Sequence, residues 1–404
     1  MSSRVDQAVR EYADGLAPAV AELARSAAAR LPGLAQRMTG AGLDHRSLAP
    51  GELSSLPVLS KDEVIALQSG SPPFGGLLAD GAPLERMFQS PGPIYEPQLA
   101  GADPWRWAPA LAAAGIGAGD RVLNCFSYHL SPAGAMFELG CLAAGASVLP
   151  GGIGNQDLQA RAIADLGVTA YTGLPSYLKS IMDRWAEAGL PWDRWRLRRA
   201  LVTAEPLPDS LRSVLMERVE RVLMAYGTAE VGLIGYETAP GSGLRLADGL
   251  LVEVCDLDTG EPVTHGEGQV VVTLLRPDYP LVRFGTGDLS AWTVDDEGHP
   301  RLAGVVGRVG EAVKVRGMFL HPRQAAAALT GCPGLGTWRL LVDRLDHRDE
   351  LTCEVVPSQG VDPDTLRTDV GGRIRDGLRF AAKVVAVDAI DDGAGRLIDR
   401  RSWD

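Results

Sequence analysis

The segment Tyr226-Gly227-Thr228-Ala229-Glu230 is followed later in the chain by Thr286-Gly287-Asp288 and then by Gly307-Arg308. A glycine lets backbone approach a ligand closely, an aspartate accepts hydrogen bonds from vicinal hydroxyls, and an arginine opposes an anion. Together they would surround a small polar ligand that carries hydroxyls and negative charge. Short Gly/Asp/Thr turns occur in most proteins, so the signal lies in their order and spacing. A second group is Leu123-Asn124-Cys125-Phe126-Ser127-Tyr128-His129. A thiolate with a nearby base is an activated nucleophile suited to acyl transfer, which makes Cys125 a candidate relay and His129 its helper. A lone cysteine is more commonly a buried small hydrophobe, and His129 has a structural reading as well.

These residues need a scaffold that delivers them to one cleft. From 105 to 205 helical runs alternate with short strand-like runs: strands at 121–126, 147–150, 169–172 and 198–203, helices at 105–114, 132–146, 158–166 and 176–189. This alternation predicts an α/β fold with a largely parallel sheet, whose ligands collect beyond the C-terminal strand ends. Cys125 to His129, Gly173 to Ser176, Glu205 and Tyr226 to Glu230 all fall at such ends. After Gly249 the texture changes to hairpin-like strands, predicting a β-rich subdomain over about 249–306. The remainder, 307–404, reads as a small α+β lobe after a hinge at Gly307. Residues 4–30 carry helical spacing, Ser60 marks a helix start before Lys61, and 69–84 reads as a loop.

The 404 residues suffice for two or three domains, and a formal charge of −12 argues against binding nucleic acid or an anionic membrane surface. The N-terminal residues lack a secretion pattern and no apolar run is long enough to span a bilayer, so the expected compartment is the cytoplasm. Five scattered cysteines without a Cys-x-x-Cys pair imply neither structural zinc nor a disulfide framework. Gly151-Gly152-Ile153-Gly154-Asn155 lacks the last glycine of a dinucleotide fingerprint and reads as a plain turn.

The first group of motifs resembles the adenylate-forming superfamily, and within it the phenylacetate–CoA ligases. The resemblance runs from about Leu56 to Asp399. It implies a large N-terminal α/β domain with a β-subdomain over 1–306 and a small mobile C-terminal domain over 307–404. It also implies that Tyr226, Gly227 and Thr228 lie against the nucleotide and that Glu230 sits at the metal and acyl-phosphate. Asp288 would hold ribose hydroxyls, with Arg308 in the same pocket. Tyr128, His129, Gly173, Ser176 and Glu205 would line the acyl and nucleotide clefts, while Lys314 and Arg316 would approach the phosphopantetheine arm.

Two places depart from the family. Where relatives carry a Ser/Thr/Gly-rich loop with a lysine for the ATP phosphates, this chain reads Ser90-Pro91-Gly92-Pro93-Ile94-Tyr95-Glu96-Pro97. The prolines remove N–H donors and Glu96 replaces the cation. At about 4 Å a like charge costs roughly 1 kcal/mol in water and about 4 at an effective dielectric of 20. Near the C-terminus the family's lysine position falls on Gly393 or Arg396, and the 39 basic residues include only Lys61, Lys179, Lys314 and Lys383 as lysines. Arg396 would keep the charge without the compact ammonium.

Two functional readings follow. In the preferred one the chain moves an acyl or aryl group between a CoA thioester and a carrier-protein arm or other acceptor, using CoA or phosphopantetheine, with or without bound AMP, and no ATP. In the alternative it is an aryl/acyl-CoA ligase using ATP, Mg²⁺ and CoA, with Glu230 at the metal. A ligand-binding relic is a third reading, and a homodimer stays open.

Overall fold

The computed structural model describes residues 2–90, 93–309, 313–316, 318–320, 322–391 and 396–401. The chain forms two compact units, Met1–Val309 and Gly310–Asp404. In the first unit α1 (Ser2–Ala28), α2 (Pro32–Gly40) and α3 (Lys61–Gly70) lead to an antiparallel hairpin, β1 (Leu84–Gln89) and β2 (Tyr95–Leu99). Then α4 (Ala108–Ala113), β3 (Arg121–Asn124), α5 (Ala133–Ala143), β4 (Ser147–Pro150) and α6 (Gln156–Leu166) follow. After them come β5 (Ala170–Gly173), α7 (Pro175–Glu187), β6 (Arg199–Val202), α8 (Asp209–Met216) and β7 (Arg221–Thr228).

Strands β4, β3, β5, β6 and β7 pair in that order and all in parallel, as the alternation of runs predicts. Side chains of β3 alternate between two cores. Val122 packs with Trp107, Phe137 and Leu111 on one face, and Leu123 packs with Tyr171, Ile181 and Leu211 on the other. This period of two is what a sheet covered on both faces requires.

The sheet then turns antiparallel through β8 (Gly232–Tyr236), β9 (Leu244–Leu246), β10 (Leu250–Cys255), β11 (Glu267–Leu274), β12 (Phe284–Val294), β13 (Pro300–Leu302) and β14 (Gly307–Arg308). Here the structure corrects the sequence reading. Thr286 and Asp288 lie within a strand that starts at Phe284, while the sequence suggested a turn with the strand beginning at Leu289. Gly287 takes φ +80 and the register with β11 slips between Gln269 and Val271, so the strand kinks without ending. Gly307 and Arg308, expected at the start of the small lobe, pair with Leu289 and Asp288 of β12 inside the N-terminal unit.

In the second unit β15 (Val313–Val315) and β16 (Met318–Leu320) form a hairpin. Helices α9 (Pro322–Leu329) and α10 (Pro363–Leu378) accompany a four-stranded sheet of β17 (Leu335–Leu345), β18 (Arg348–Pro357), β19 (Lys383–Ala386) and β20 (Leu397–Asp399). Its core gathers Trp338, Leu340, Val355, Leu366, Ile374 and Leu397. Among the described residues no helix is long and apolar enough to cross a membrane.

Arg283 ties the loop before α3 to the β-rich part. Its guanidinium donates to Ser54 O, Leu56 O at 2.6 Å, Gly260 O at 2.7 Å and Glu253 Oε2 at 3.2 Å. The residue sits at φ +51 and is 2% exposed. Removing one partner of such a buried pair strands the other, so Arg283→Met should cost the first unit about 3–5 kcal/mol, read as a lower urea midpoint. A loss below about 1 kcal/mol would show that the network bears little stability.

Candidate active site

The nucleotide-type motif assembles around the ring of Tyr226. Its hydroxyl lies 2.9 Å from Asp288 Oδ2 and 3.1 Å from Thr286 Oγ1, and Thr286 in turn donates to Val270 O at 2.9 Å. Arg308 Nη2 is 2.6 Å from Asp288 Oδ1, a contact that β12–β14 pairing sets in register. Burial, with the Asp288 charge behind it, pushes the Tyr226 hydroxyl far above its usual range, so it remains a donor. Gly227 is needed for closeness and not for a positive φ. A Cβ there would collide with Gly232 O and reach 2.9 Å from the Trp107 ring. The β7–β8 connection carries Thr228, whose hydroxyl accepts from Val231 N at 3.3 Å, and then Glu230.

Glu230 meets a residue that the sequence reading left unassigned. Lys61 Nζ is 2.7 Å from Glu230 Oε1, with the Glu230 side chain 4% exposed. A capping box places this lysine: Ser60 Oγ accepts from Glu63 N at 3.2 Å and Glu63 accepts from Ser60 N at 2.7 Å, so α3 begins at Lys61. Just before it, Leu59 N donates to Arg283 O at 2.7 Å and Gly285 N to Leu59 O at 2.9 Å, docking the helix start on β12. The Lys61 ammonium also lies 5.9 Å from the centroid of the Phe284 ring. The Ser-Lys-Asp-Glu capping signature was visible in the sequence, but nothing there showed that the lysine crosses to Glu230.

The third member is Glu96, on β2. Gln68 grips Tyr95 from both sides, donating to Tyr95 O and accepting from Tyr95 N, each at 2.8 Å. With Tyr95 turned outward, alternation turns Glu96 inward, where it is 2% exposed. Among the described residues neither Glu96 oxygen nor Glu230 Oε2 accepts a well-formed hydrogen bond. Burial and then the Glu230 charge raise the Glu96 carboxyl well above the carboxylate range, against weaker pulls from Ser90 and Lys61. Burial also pushes on Glu230, but Lys61 and the Thr228 hydroxyl outweigh it and hold that carboxyl below its usual value. Burial and the Glu230 charge thus favour the neutral form of Glu96, while Lys61 favours the ionised form of Glu230. This corrects the picture of Glu96 as a bare charge facing phosphate, because Glu96 is 2% exposed. Pro91, Gly92 and Gly393 lie outside the described residues.

The acyl-side candidates separate. Asn124 Nδ2 donates to Tyr128 OH at 2.7 Å and to Gly134 O at 2.8 Å, which pins the 125–129 loop with Tyr128 half-buried and His129 exposed. Cys125 points to the other core, among Leu123, Tyr171 and Leu178, at 1% exposure. Burial drives its thiol far above the usual range, and among the described residues no hydrogen bond joins it to His129. The geometry does not pair these two as nucleophile and base. Glu205 Oε1 accepts from Ser176 N at 2.6 Å and so caps the first turn of α7, and a Cβ on Gly173 would strike the Tyr171 hydroxyl. In the second unit Arg316 donates from Nε to Asp349 O at 2.9 Å. Arg396 donates to Trp338 O at 2.8 Å and to Thr337 Oγ1 at 3.0 Å. Lys314 pairs with Phe319 through its backbone, and its side chain lies outside the described residues. A cavity of about 550 Å³ lined by Arg37, Glu63, Ser71 and Gly75 includes none of Lys61, Glu96, Tyr226, Glu230, Asp288 or Arg308.

The fold is that of adenylate-forming enzymes. The AMP-binding enzyme family matches residues 105–273. The chain is 26% identical over 396 residues to the phenylacetate-coenzyme A ligase of Aromatoleum evansii, covering 89% of this chain and 88% of that one. It is 28% identical over 308 residues to the phenylacetate-coenzyme A ligase of Thermus thermophilus, covering 69% of each. The structure of 2-hydroxyisobutyryl-CoA ligase in complex with 2-HIB-AMP and CoA superposes with a TM-score of 0.86 at 25% identity, over 98% of this chain and 91% of that one. The chain is thus similar to the adenylate-forming superfamily and, within it, to phenylacetate–CoA ligases. These relatives favour the ligase reading over transfer from a preformed thioester.

The Glu96 carboxyl has a direct consequence for stability. A folded-state value raised above the unfolded one contributes stability at low pH that is lost as pH rises. Glu96→Gln should therefore raise the urea midpoint at pH 7, and the gain should shrink as pH falls toward about 4, near the unfolded glutamate value. A constant difference across that window would contradict a neutral buried Glu96.

Proposed function

We propose that this protein is an ATP-dependent acid–thiol ligase, joining a small aryl or acyl carboxylic acid to CoA through an acyl-adenylate. The observation that carries it is the Lys61–Glu230 ion pair at 2.7 Å, whose Glu230 Oε2 accepts no well-formed hydrogen bond among the described residues, together with the Tyr226–Asp288–Arg308 group. An ion pair with an uncommitted, desolvated oxygen suits a cation that accompanies phosphate. In the first half-reaction the substrate carboxylate oxygen attacks the α-phosphorus and pyrophosphate leaves. In the second, the CoA sulfur attacks the acyl carbonyl and AMP leaves.

Within this reading Tyr226, Gly227 and Thr228 bound the nucleotide. Asp288 receives ribose hydroxyls, since a carboxylate retains acceptor capacity after meeting Arg308 and Tyr226. Glu230 would hold Mg²⁺, whose charge would oppose that of the phosphates. Lys61 keeps Glu230 ionised and oriented. Tyr128, His129, Gly173, Ser176 and Glu205 shape the cleft for the acid, and Lys314, Arg316 and Arg396 are candidate CoA-binding cations of the second unit. A phenylacetate-like acid is the first substrate to try, given the relatives. Cys125 has no covalent role.

Incubation with arylacetic and branched hydroxy acids, ATP and labelled pyrophosphate should give acid-dependent exchange of label into ATP. Glu230→Gln should reduce it by about 10²–10³-fold, the size typical for loss of a preorganised electrostatic group. Cys125→Ala should exchange at the parent rate. Acyl transfer from an acyl-CoA without ATP, abolished in Cys125→Ala, would overturn the reading.

A further inference from the structure

We propose that Arg106 and Arg276 form a binding site for a phosphate group, free or carried as the phosphomonoester of a nucleotide, apart from the Tyr226–Asp288–Arg308 group. The two guanidiniums line one cavity of about 310 Å³ together with Gly101, Asp103, Pro104 and Gly249. That volume lies at the lower end of small-molecule sites. The inference goes beyond the ligase reading, because none of the residues assigned there lines this cavity.

Contacts with the backbone bring both arginines to the same opening. Arg276 Nη1 donates to Pro104 O at 3.3 Å, just before Trp105 and Arg106 in the chain. Leu275 N donates to Gly249 O at 2.9 Å, and a Cβ on Gly249 would lie 3.4 Å from Arg106 Cδ. Arg106 Nη2 donates to Val231 O at 2.9 Å and to Leu233 O at 3.0 Å, so the cavity backs onto the β7–β8 connection. Arg106 also sits at φ +65, which an L residue seldom adopts unless its surroundings hold it there.

The charge of this pair is not offset from within the chain. Among the described residues every hydrogen bond from Arg106 and Arg276 ends on a backbone carbonyl, and Arg106 Nε is buried with no acceptor. The two acids nearby are committed elsewhere. Asp103 accepts from Trp107 N at 3.0 Å and from Ala108 N at 2.7 Å, and Asp278 pairs with Arg30 at 2.8 Å. Burial and then the charge of Arg276 lower the Arg106 guanidinium to about 10, against a smaller pull from Asp103. Two desolvated cations side by side call for an anion. A phosphate group suits them better than a carboxylate, since it offers a third oxygen and a second charge to two rigid forks.

The test is calorimetric titration of the full chain, without ATP or acid, with orthophosphate, CoA and dephospho-CoA, the last being CoA without its phosphomonoester. For a site that takes free phosphate, the parent binds orthophosphate and Arg276→Gln weakens binding by about tenfold or more, as expected for a lost bond to a charged group. For a site that takes a nucleotide, the parent prefers CoA to dephospho-CoA by a similar factor and Arg276→Gln removes the preference. Arg276→Lys, which keeps the charge without the fork, should fall between. Arg276 makes one hydrogen bond to the chain, so both variants should fold, with a urea midpoint close to that of the parent. Orthophosphate affinity and CoA preference that are equal in parent and Arg276→Gln, or absent from the parent, would overturn the proposal. The two readings fail separately: absent pyrophosphate exchange defeats the ligase assignment and leaves this site standing, whereas normal exchange with binding indifferent to Arg276 defeats only this site.

Discussion

The buried ion pair between Lys61 and Glu230 is the interaction on which the site depends. At 2.7 Å, with Glu230 almost wholly enclosed, it fixes which carboxyl of the Glu96–Glu230 pair carries charge. Two adjacent buried carboxyls cannot both ionise without a cation to offset them. One ammonium offsets one charge, which favours the ionised form of Glu230 and the neutral form of Glu96. The pair also fastens α3 to the turn after β7, two parts of the chain that are far apart in sequence.

The rest of the N-terminal unit can be read as the means of holding that contact. The capping box sets the first turn of α3, Leu59 docks it on β12, and Arg283 anchors the preceding loop at Ser54 and Leu56. The same strand β12 carries Thr286 and Asp288 to Tyr226, with Arg308 brought alongside by β14. One strand therefore positions both the ammonium and the hydroxyl-binding carboxylate. Its irregularity at Gly287 matters because Asp288 must face inward in spite of the slipped register.

Much of the fold was legible in the sequence because its signals are local. Alternating strand and helix runs over 105–205 follow from side-chain periodicity, and the family motifs are contiguous strings. The β1–β2 hairpin was missed, since its first strand Leu84–Gln89 is mostly exposed and shows no alternation to read. The site was legible in its types and not in its partnerships. Tyr226, Asp288 and Arg308 come together as one group. Cys125 and His129, four residues apart in sequence, part company because Cys125 turns into the core with Leu123 while His129 lies exposed on the loop. Glu96 was judged by charge alone, and charge depends on burial and on a neighbour distant in the chain. Lys61 has the same explanation: its contact is purely tertiary.

A double-mutant cycle on Lys61→Met and Glu230→Gln, followed by urea unfolding at pH 7, tests the central pair most directly. The account predicts that the two changes couple by about 1–3 kcal/mol, the double variant being less damaged than the sum of the singles. Strict additivity would mean that the ammonium and the carboxylate do not depend on each other, which contradicts the account.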